Sequence, residues 1–229
     1  DALHTERLVR LSGSFFCYLP SGDAPPVAAL PARARGYVTF GSFNNFQKLN
    51  ATVLETWAEL LLRVPESRLM IIVGHGVAGH DALRRRFALC GIDSERLELV
   101  PRLSRAEYLQ GMSTVDIALD PFPFNGHTTT CDCLWQGVPV LTLSGDSYRS
   151  RFGGSGLHTL GLHEWIATGR QQYVEIGARQ ALDIAGLSTL RHELRARMAA
   201  SPLLDFEQFT RNLEGEYRRM WRAWCETRA

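Results

Sequence analysis

The chain has 229 residues, 45% hydrophobic and 21% charged, with 25 Lys and Arg against 24 Asp and Glu. That balance supports one or two packed domains and argues against disorder. The net charge of +1 gives no long-range pull toward nucleic acid or anionic lipid, and no apolar run reaches the roughly 18 residues of a membrane-spanning helix. Residues 1–10 carry no secretory signal pattern. The five cysteines, an odd count, read as reduced thiols in a cytoplasmic chain.

Residues 1–35 read as an extended connector. Pro20, Pro25, Pro26 and Pro31 each fix their own φ and push the preceding residue out of the helical region. The texture then changes. Gly36 to Phe43 is a β-rich run edged by glycines. Asn50 is placed to cap a helix whose apolar residues Val53, Leu54, Trp57, Leu60, Leu61 and Val64 recur at steps of three or four. Arg68 to Val73 is a continuous apolar strand of the type buried on both faces of a parallel sheet.

Asp81 to Leu89 reads as a helix stopped by Gly91, and Leu97 to Val100 as a short strand. Ser104 and Glu107 form a capping box that opens a further helix. Val115 to Leu119 is a strand, Thr128 to Trp135 a helix ended by Gly137, Val138 to Leu143 a strand, and Arg151 to Leu160 a helix. Gln171 to Ala185 and Thr189 to Ala200 are predicted helical. Asp205 caps a last long helix with Phe206, Phe209, Leu213, Tyr217, Met220 and Trp224 on one stripe. Met220, Trp221 and Trp224 are expected to cover the chain's own sheet, the alternative being another part of a larger protein.

Alternating strands and helices imply an α/β fold: a Rossmann-like parallel sheet with helices on both faces and a helical C-terminal segment. The expected domain covers residues 36–200, and residues 201–229 form a helix that completes or bridges it. Ligands of such sheets sit beyond the carboxyl ends of the strands, which directs attention to the loops after Phe40, Val73, Val100, Leu119 and Leu143.

The loop after Leu119 runs Asp120-Pro-Phe-Pro-Phe-Asn-Gly-His-Thr-Thr-Thr130. A rigid turn and an Asn-Gly pivot lead to hydroxyl residues at a helix start. The unpaired N–H groups there, with about half a positive charge, suit a pyrophosphate. Asp132 lies a turn further in, where a carboxylate can accept from ribose hydroxyls. The same residues fit a plain helix capped by Asn125 or Thr128.

Phe40 to Lys48 is the second feature. Lys48 can set a compact charge on a phosphate, and Asn45 can orient a neighbour; taken alone, the segment reads more readily as a solvated lysine ahead of a helix. Arg105 and Tyr108, just past a strand end, suit either a stacked base or plain surface. No Asp-X-Asp pair and no Gly-rich loop ending in Lys-Ser/Thr occurs in the chain, so the residues of a divalent-ion clamp and of a P-loop are missing. His75 and His80 make a weak zinc pair, and Cys131 and Cys133 read as packing. No metal site is expected.

The chain resembles the protein O-linked N-acetylglucosamine transferases, including their bacterial and plant SPINDLY-like members. The resemblance rests on Gly-Ser-Phe-Asn-Asn-Phe-Gln-Lys48, Leu-Asp-Pro-Phe-Pro-Phe-Asn-Gly-His-Thr-Thr-Thr130, Leu-Trp-Gln-Gly-Val-Pro-Val140 and Ser-Arg-Phe-Gly153, in order and spacing from about Gly36 onward. It implies one half of a GT-B glycosyltransferase: the donor-binding half, with residues 1–35 leading from a catalytic N-terminal half.

The implied reaction is metal-independent, inverting transfer from UDP-N-acetylglucosamine to Ser or Thr of a protein, with no other cofactor. A non-catalytic nucleotide-sugar module and UDP-glucose-dependent N-glucosylation are the alternatives. By motif position Lys48 would neutralise the leaving diphosphate and Asn45 would contact a donor phosphate. His127, Thr128 and Thr129 would hold the diphosphate, Asp132 the ribose, and Arg105 and Tyr108 the uracil. The expected partners are a UDP-sugar and a protein acceptor held by the absent domain and repeats, with no nucleic acid or membrane. The 229 residues alone are expected to be inactive in transfer.

Overall fold

The computed structural model describes residues 4–73 and 77–227. Nine helices and six strands alternate through the described residues. They are α1 (Pro31–Arg35), β1 (Thr39–Ser42), α2 (Ala51–Arg63), β2 (Arg68–Ile72), α3 (Val77–Leu89), β3 (Leu97–Val100), α4 (Arg105–Met112) and β4 (Ile117–Leu119). There follow α5 (Thr128–Trp135), β5 (Val140–Leu143), α6 (Phe152–Thr159), β6 (Ile166–Ala167), α7 (Arg170–Leu182), α8 (Ile184–Ala199) and α9 (Phe206–Glu226).

All strand pairings are parallel, in the order β3-β2-β1-β4-β5-β6. The chain winds outward one way from β1 and the other way from β4, so the order reverses between them. A crevice opens beyond the strand ends at such a reversal, and two loops face each other across it. Here they are the loop after β1, carrying Lys48, and the loop after β4, carrying residues 120–127.

Sequence features dictate most helix ends. The Asn50 side chain accepts from Val53 N–H at 3.0 Å and starts α2. The Ser104–Glu107 capping box starts α4. Gly91 and Gly137 take the left-handed conformation, at φ of 80° and 77°, that stops a helix. α3 begins four residues before the expected Asp81, and residues 74–76, with His75, lie outside the described residues. β6 has two residues, too few for a pattern of alternation to register.

The core forms between the sheet and its helices. Phe40, Leu69, Ile71, Ile117, Leu119 and Leu141 from the strands are buried, as are Trp57, Leu60, Phe87, Leu134 and Leu194 from the helices. Burial of the strands on both faces explains their unbroken apolar runs. α2 packs on α3 and α7, and α5 on α6 and α8. Cys131 and Cys133 are buried in that packing, and all five cysteines are free. No described helix is long and apolar enough to cross a membrane.

The proline-rich connector is seated on the domain, whereas the expected seat of the last helix needs correction. Arg191 donates to Ala28 O at 2.8 Å and Arg195 to Pro25 O at 2.7 Å. The buried Asp116 carboxylate accepts Ala32 N–H and Thr39 N–H, each at 2.8 Å, joining α1 to β1. The chain supplies arginines to carbonyls that prolines leave without a ladder partner.

The stripe of α9 does not cover the sheet. Phe206, Tyr217, Met220, Trp221 and Trp224 are exposed, and the rings of Trp221 and Trp224 stack at 5.1 Å. α9 instead lies against the N-terminal segment, where Asn212 donates to Ser12 O at 3.2 Å.

Candidate functional site at the switch point

Lys48 ends a single 3-10 turn, Phe46–Lys48, just after β1. Its half-buried ammonium donates to Asn125 O at 2.8 Å and to Asn44 Oδ1 at 3.2 Å, and lies 4.6 Å from the Phe124 ring centre. Both acceptors are neutral. Burial pulls the ammonium below its ordinary pKa, and the nearby Asp120 carboxylate opposes that pull. The lysine therefore bridges the two loops at the point where strand order reverses.

The opposing loop is fixed from several sides. Asn125 is fully buried; its Nδ2 donates to Pro121 O at 3.0 Å and to Leu143 O at 3.3 Å, and its N–H to Arg149 O at 3.0 Å. Asn50 Nδ2 donates to Phe122 O at 2.8 Å, tying this loop to the start of α2. Asp120 is buried, accepts Gly126 N–H at 2.5 Å and the Thr142 hydroxyl at 2.6 Å, and its backbone C=O takes the Tyr173 hydroxyl at 3.3 Å. Burial pushes the Asp120 carboxyl up to about 7, against the pull of Thr142, Gly126 and Lys48. A Cβ on Gly126 would lie 2.7 Å from Thr130 Oγ1 and 3.1 Å from Asn44 Oδ1, so only glycine fits this turn.

α5 then starts at Thr128 with His127 as its boundary residue and no side-chain cap. The plain alternative, a helix capped by Asn125 or Thr128, does not describe this start: Asn125 Oδ1 accepts no hydrogen bond, the boundary residue is His127, and Thr128 already lies inside the helix. The first N–H groups of an α-helix have no intrahelical partner. Among the described residues, five buried side-chain polar atoms lack a hydrogen-bond partner, and three belong to this segment: Asn125 Oδ1, His127 Nε2 and Thr130 Oγ1. A fourth is Ser42 Oγ, at the end of β1. Orphaned polar atoms gathered at a strand-order reversal mark a place shaped for a polar ligand.

His127 is packed among aromatic rings, with Phe16 at 4.3 Å, Phe152 at 5.0 Å and Phe15 at 5.8 Å between centroids. Burial and the charge of Lys48 lower its pKa, which favours the neutral imidazole. Phe15, Tyr148 and Phe152 also line a groove of about 840 Å³.

The structure places the remaining predicted residues as follows. Thr128 is exposed and Thr129 half-buried, both in the first turn of α5. Asn45 does not meet Lys48; its side chain accepts Gln47 N–H at 3.0 Å and caps the 3-10 turn, while the buried Asn44 takes the ammonium. Asp132, expected to be open to a ribose, is buried and already engaged. Arg105 holds it with two bonds, of 2.8 and 2.9 Å, and the Tyr18 hydroxyl with one of 2.6 Å. A carboxylate inside the second turn of α5 needs such donors.

Arg105 consequently points at Asp132, with its guanidinium 5.3 Å from the Tyr108 ring. The Tyr108 ring meets Phe43 edge-on at 5.7 Å, and burial raises the phenol's pKa. Sequence reasoning passed over Asn44, Asp120, Phe124, Thr142 and Gly153. All but Thr142 lie within the segments that carry the resemblance, which mark their neighbourhood but not their individual roles. No group of three His, Cys, Asp or Glu among the described residues is placed to hold a metal ion.

An open-edged parallel sheet wound in both directions from a central reversal, with a lysine facing an uncapped helix start there, defines a nucleotide-type α/β unit of the GT-B kind. The family model described as "Glycosyl transferase family 41" matches residues 28–213. The chain belongs to that family. It is 46% identical over 228 residues to a probable UDP-N-acetylglucosamine–peptide N-acetylglucosaminyltransferase SPINDLY of Petunia hybrida, covering 97% of this chain and 24% of that protein. A probable transferase of the same activity from Arabidopsis thaliana, named SEC, is 33% identical over 187 residues, which are 81% of this chain and 19% of that one.

Among solved structures, an O-GlcNAc transferase mutant of Thermobaculum terrenum superposes with a TM-score of 0.91 at 36% identity, over all of this chain and 44% of that one. The Anabaena HepE protein, in complex with UDP and glucose, matches at a TM-score of 0.57 and 13% identity, a likeness of fold only. The chain spans about a quarter of the length of the curated relatives it matches.

Proposed function

We propose that this chain is the donor-binding part of an inverting, metal-independent glycosyltransferase that moves N-acetylglucosamine from UDP to Ser or Thr of proteins. The carrying observation is the ammonium of Lys48 bound to the loop that leads into the uncapped start of α5, a segment in which Asn125 Oδ1, His127 Nε2 and Thr130 Oγ1 are left without partners. Breaking a sugar–phosphate bond builds negative charge on the diphosphate. A fixed ammonium and a row of backbone N–H groups stabilise that charge without reorganising. Lys48, Thr128, Thr129 and His127 with its backbone N–H are the residues assigned to the diphosphate, while the Gly126 N–H is held by Asp120.

The uridine lies, in this reading, toward Arg105, Tyr108 and Asp132. For the ribose to reach Asp132, Arg105 must release at least one of its two bonds. Arg105 is 46% exposed, whereas Asp132 is 2% exposed, so the arginine is the partner free to move. The names of the SPINDLY and SEC relatives support the donor and a peptide acceptor. The acceptor site and the general base are assigned to the part of the protein beyond this chain.

Calorimetric titration of the chain with UDP, UDP-N-acetylglucosamine and UDP-glucose tests the donor assignment. Binding of UDP with preference for the N-acetylated sugar is expected; equal or stronger binding of UDP-glucose overturns the choice of sugar, and no UDP binding overturns the reading. Transfer to a Ser/Thr peptide by the longer parent protein, and not by the 229-residue chain, is the expected division of activity.

A further inference from the structure

Asp120 forms the floor of the loop that leads into α5. It is 1% exposed, and both of its side-chain hydrogen bonds come from donors: Gly126 N–H at 2.5 Å and the Thr142 hydroxyl at 2.6 Å. A site of donors is shaped for the carboxylate form. A Cβ on Gly126 would lie 3.0 Å from Oδ1, and one on Gly153 would lie 2.4 Å from Oδ2 and 2.5 Å from Thr142 Oγ1. The carboxylate therefore occupies the junction of the cradle loop, β5 and the start of α6, with two glycines making room for it.

Four titratable groups surround this junction. Lys48 acts from the turn after β1, Tyr173 from α7, Cys133 from α5, and His127 from the start of α5. Burial keeps the Tyr173 phenol and the Cys133 thiol protonated and neutral, and lowers the His127 imidazole toward its neutral form. Lys48 is thus the counter-charge of Asp120, and it is also the cation that the donor reading assigns to a diphosphate.

We propose, resting on that reading, that Asp120 is a positioning residue of the cradle: it fixes the Gly126 backbone, and it takes up a proton when a diphosphate claims Lys48. The proton comes from solvent and lands on a carboxylate oxygen. The Thr142 hydroxyl, which rotates freely, then turns from donor to acceptor. Burial already holds this carboxyl near neutrality, pushed up to about 7, so a modest change in the surrounding charge is enough to shift its protonation.

The test is calorimetry on this chain near pH 7 in two buffers of unlike ionisation enthalpy, with UDP-N-acetylglucosamine as probe. Its diphosphate is a diester and does not titrate in that range. Wild type is expected to take up a few tenths of a proton on binding. Asp120→Asn, which keeps an acceptor for Gly126 N–H but cannot titrate, is expected to bind the nucleotide sugar with no uptake. Asp120→Ala is expected to bind about tenfold or more weakly, because the loop loses its anchor.

Undiminished uptake in Asp120→Asn overturns the proposal. So does its loss in His127→Asn alone, which would assign the proton to the imidazole. If Asp120→Ala fails to fold, the Asp120→Asn result decides. Binding without any uptake in wild type sinks this proposal and leaves the donor reading standing; a wild-type chain that ignores the nucleotide sugar sinks both.

Discussion

Replacing Lys48 by Met removes the ammonium, which sits over the Phe124 ring, while keeping an apolar stem of similar length. In the unliganded chain the Nζ atom has two neutral acceptors, Asn125 O at 2.8 Å and Asn44 Oδ1 at 3.2 Å. Both acceptors belong to buried residues, and Lys48 is the donor that reaches each of them, so leaving them unpaired should cost about 1–3 kcal/mol of stability. A bound diphosphate would meet the same ammonium as a charge-assisted partner, worth about 1.5–3 kcal/mol, or roughly 10- to 100-fold in Kd.

The loss should be larger in the transition state. There the leaving diphosphate carries more charge, and removing one preorganised donor costs about 2.7–4 kcal/mol. Titration of the chain with UDP gives the first number. Single-turnover rates of the longer parent protein give the second. A Lys48→Met chain that binds UDP within about twofold of wild type refutes the reasoning. So would a parent enzyme whose turnover is unchanged.

Three further outcomes are expected. Tyr18→Phe removes a hydroxyl that lies 2.6 Å from the buried Asp132 carboxylate; a cost of about 1.5–3 kcal/mol should lower the Tm by roughly 3–12 °C in thermal unfolding, and an unchanged Tm would contradict the contact. Gly153→Ala would place a methyl 2.4 Å from Asp120 Oδ2 and 2.5 Å from Thr142 Oγ1, so denaturant unfolding should show a loss of about 1–3 kcal/mol, whereas Gly156→Ala, with open space around it, should cost less.

The third outcome concerns pH. The Asp120 carboxyl is raised from 3.8 to about 7 in the folded chain, so folding favours its protonated form. Its contribution is fully present below its unfolded pKa and is lost as pH rises through 7. Stability of wild type relative to Asp120→Asn should fall by an amount on the order of 3 kcal/mol from about pH 5 to about pH 8. A flat difference across that range would contradict the burial argument.

The site was legible where local chemistry fixes position. Thr128 begins α5 as its hydroxyl-rich context implies, and the loops after Phe40 and Leu119 do face each other, because alternating strands and helices leave few topologies. Legibility ended where partners are remote in the chain. Nothing near Asp132 announces Tyr18, which is 114 residues away, and nothing near Asp120 announces Thr142. Asn44 and Asn45 are adjacent amides, and only the twist at the end of β1 decides which one turns inward to Lys48. The periodicity of α9 is correct, but a stripe of apolar residues says that a helix can bury a face, not that this sheet will receive it.

The central claim is that a diphosphate lies between the Lys48 ammonium and the start of α5. A crystal structure of the chain soaked in UDP tests it most directly. Density for the two phosphates within hydrogen-bonding distance of Lys48 Nζ and the N–H groups at the start of α5 is the expected result. Phosphates bound elsewhere, or an empty crevice at saturating UDP, would contradict it.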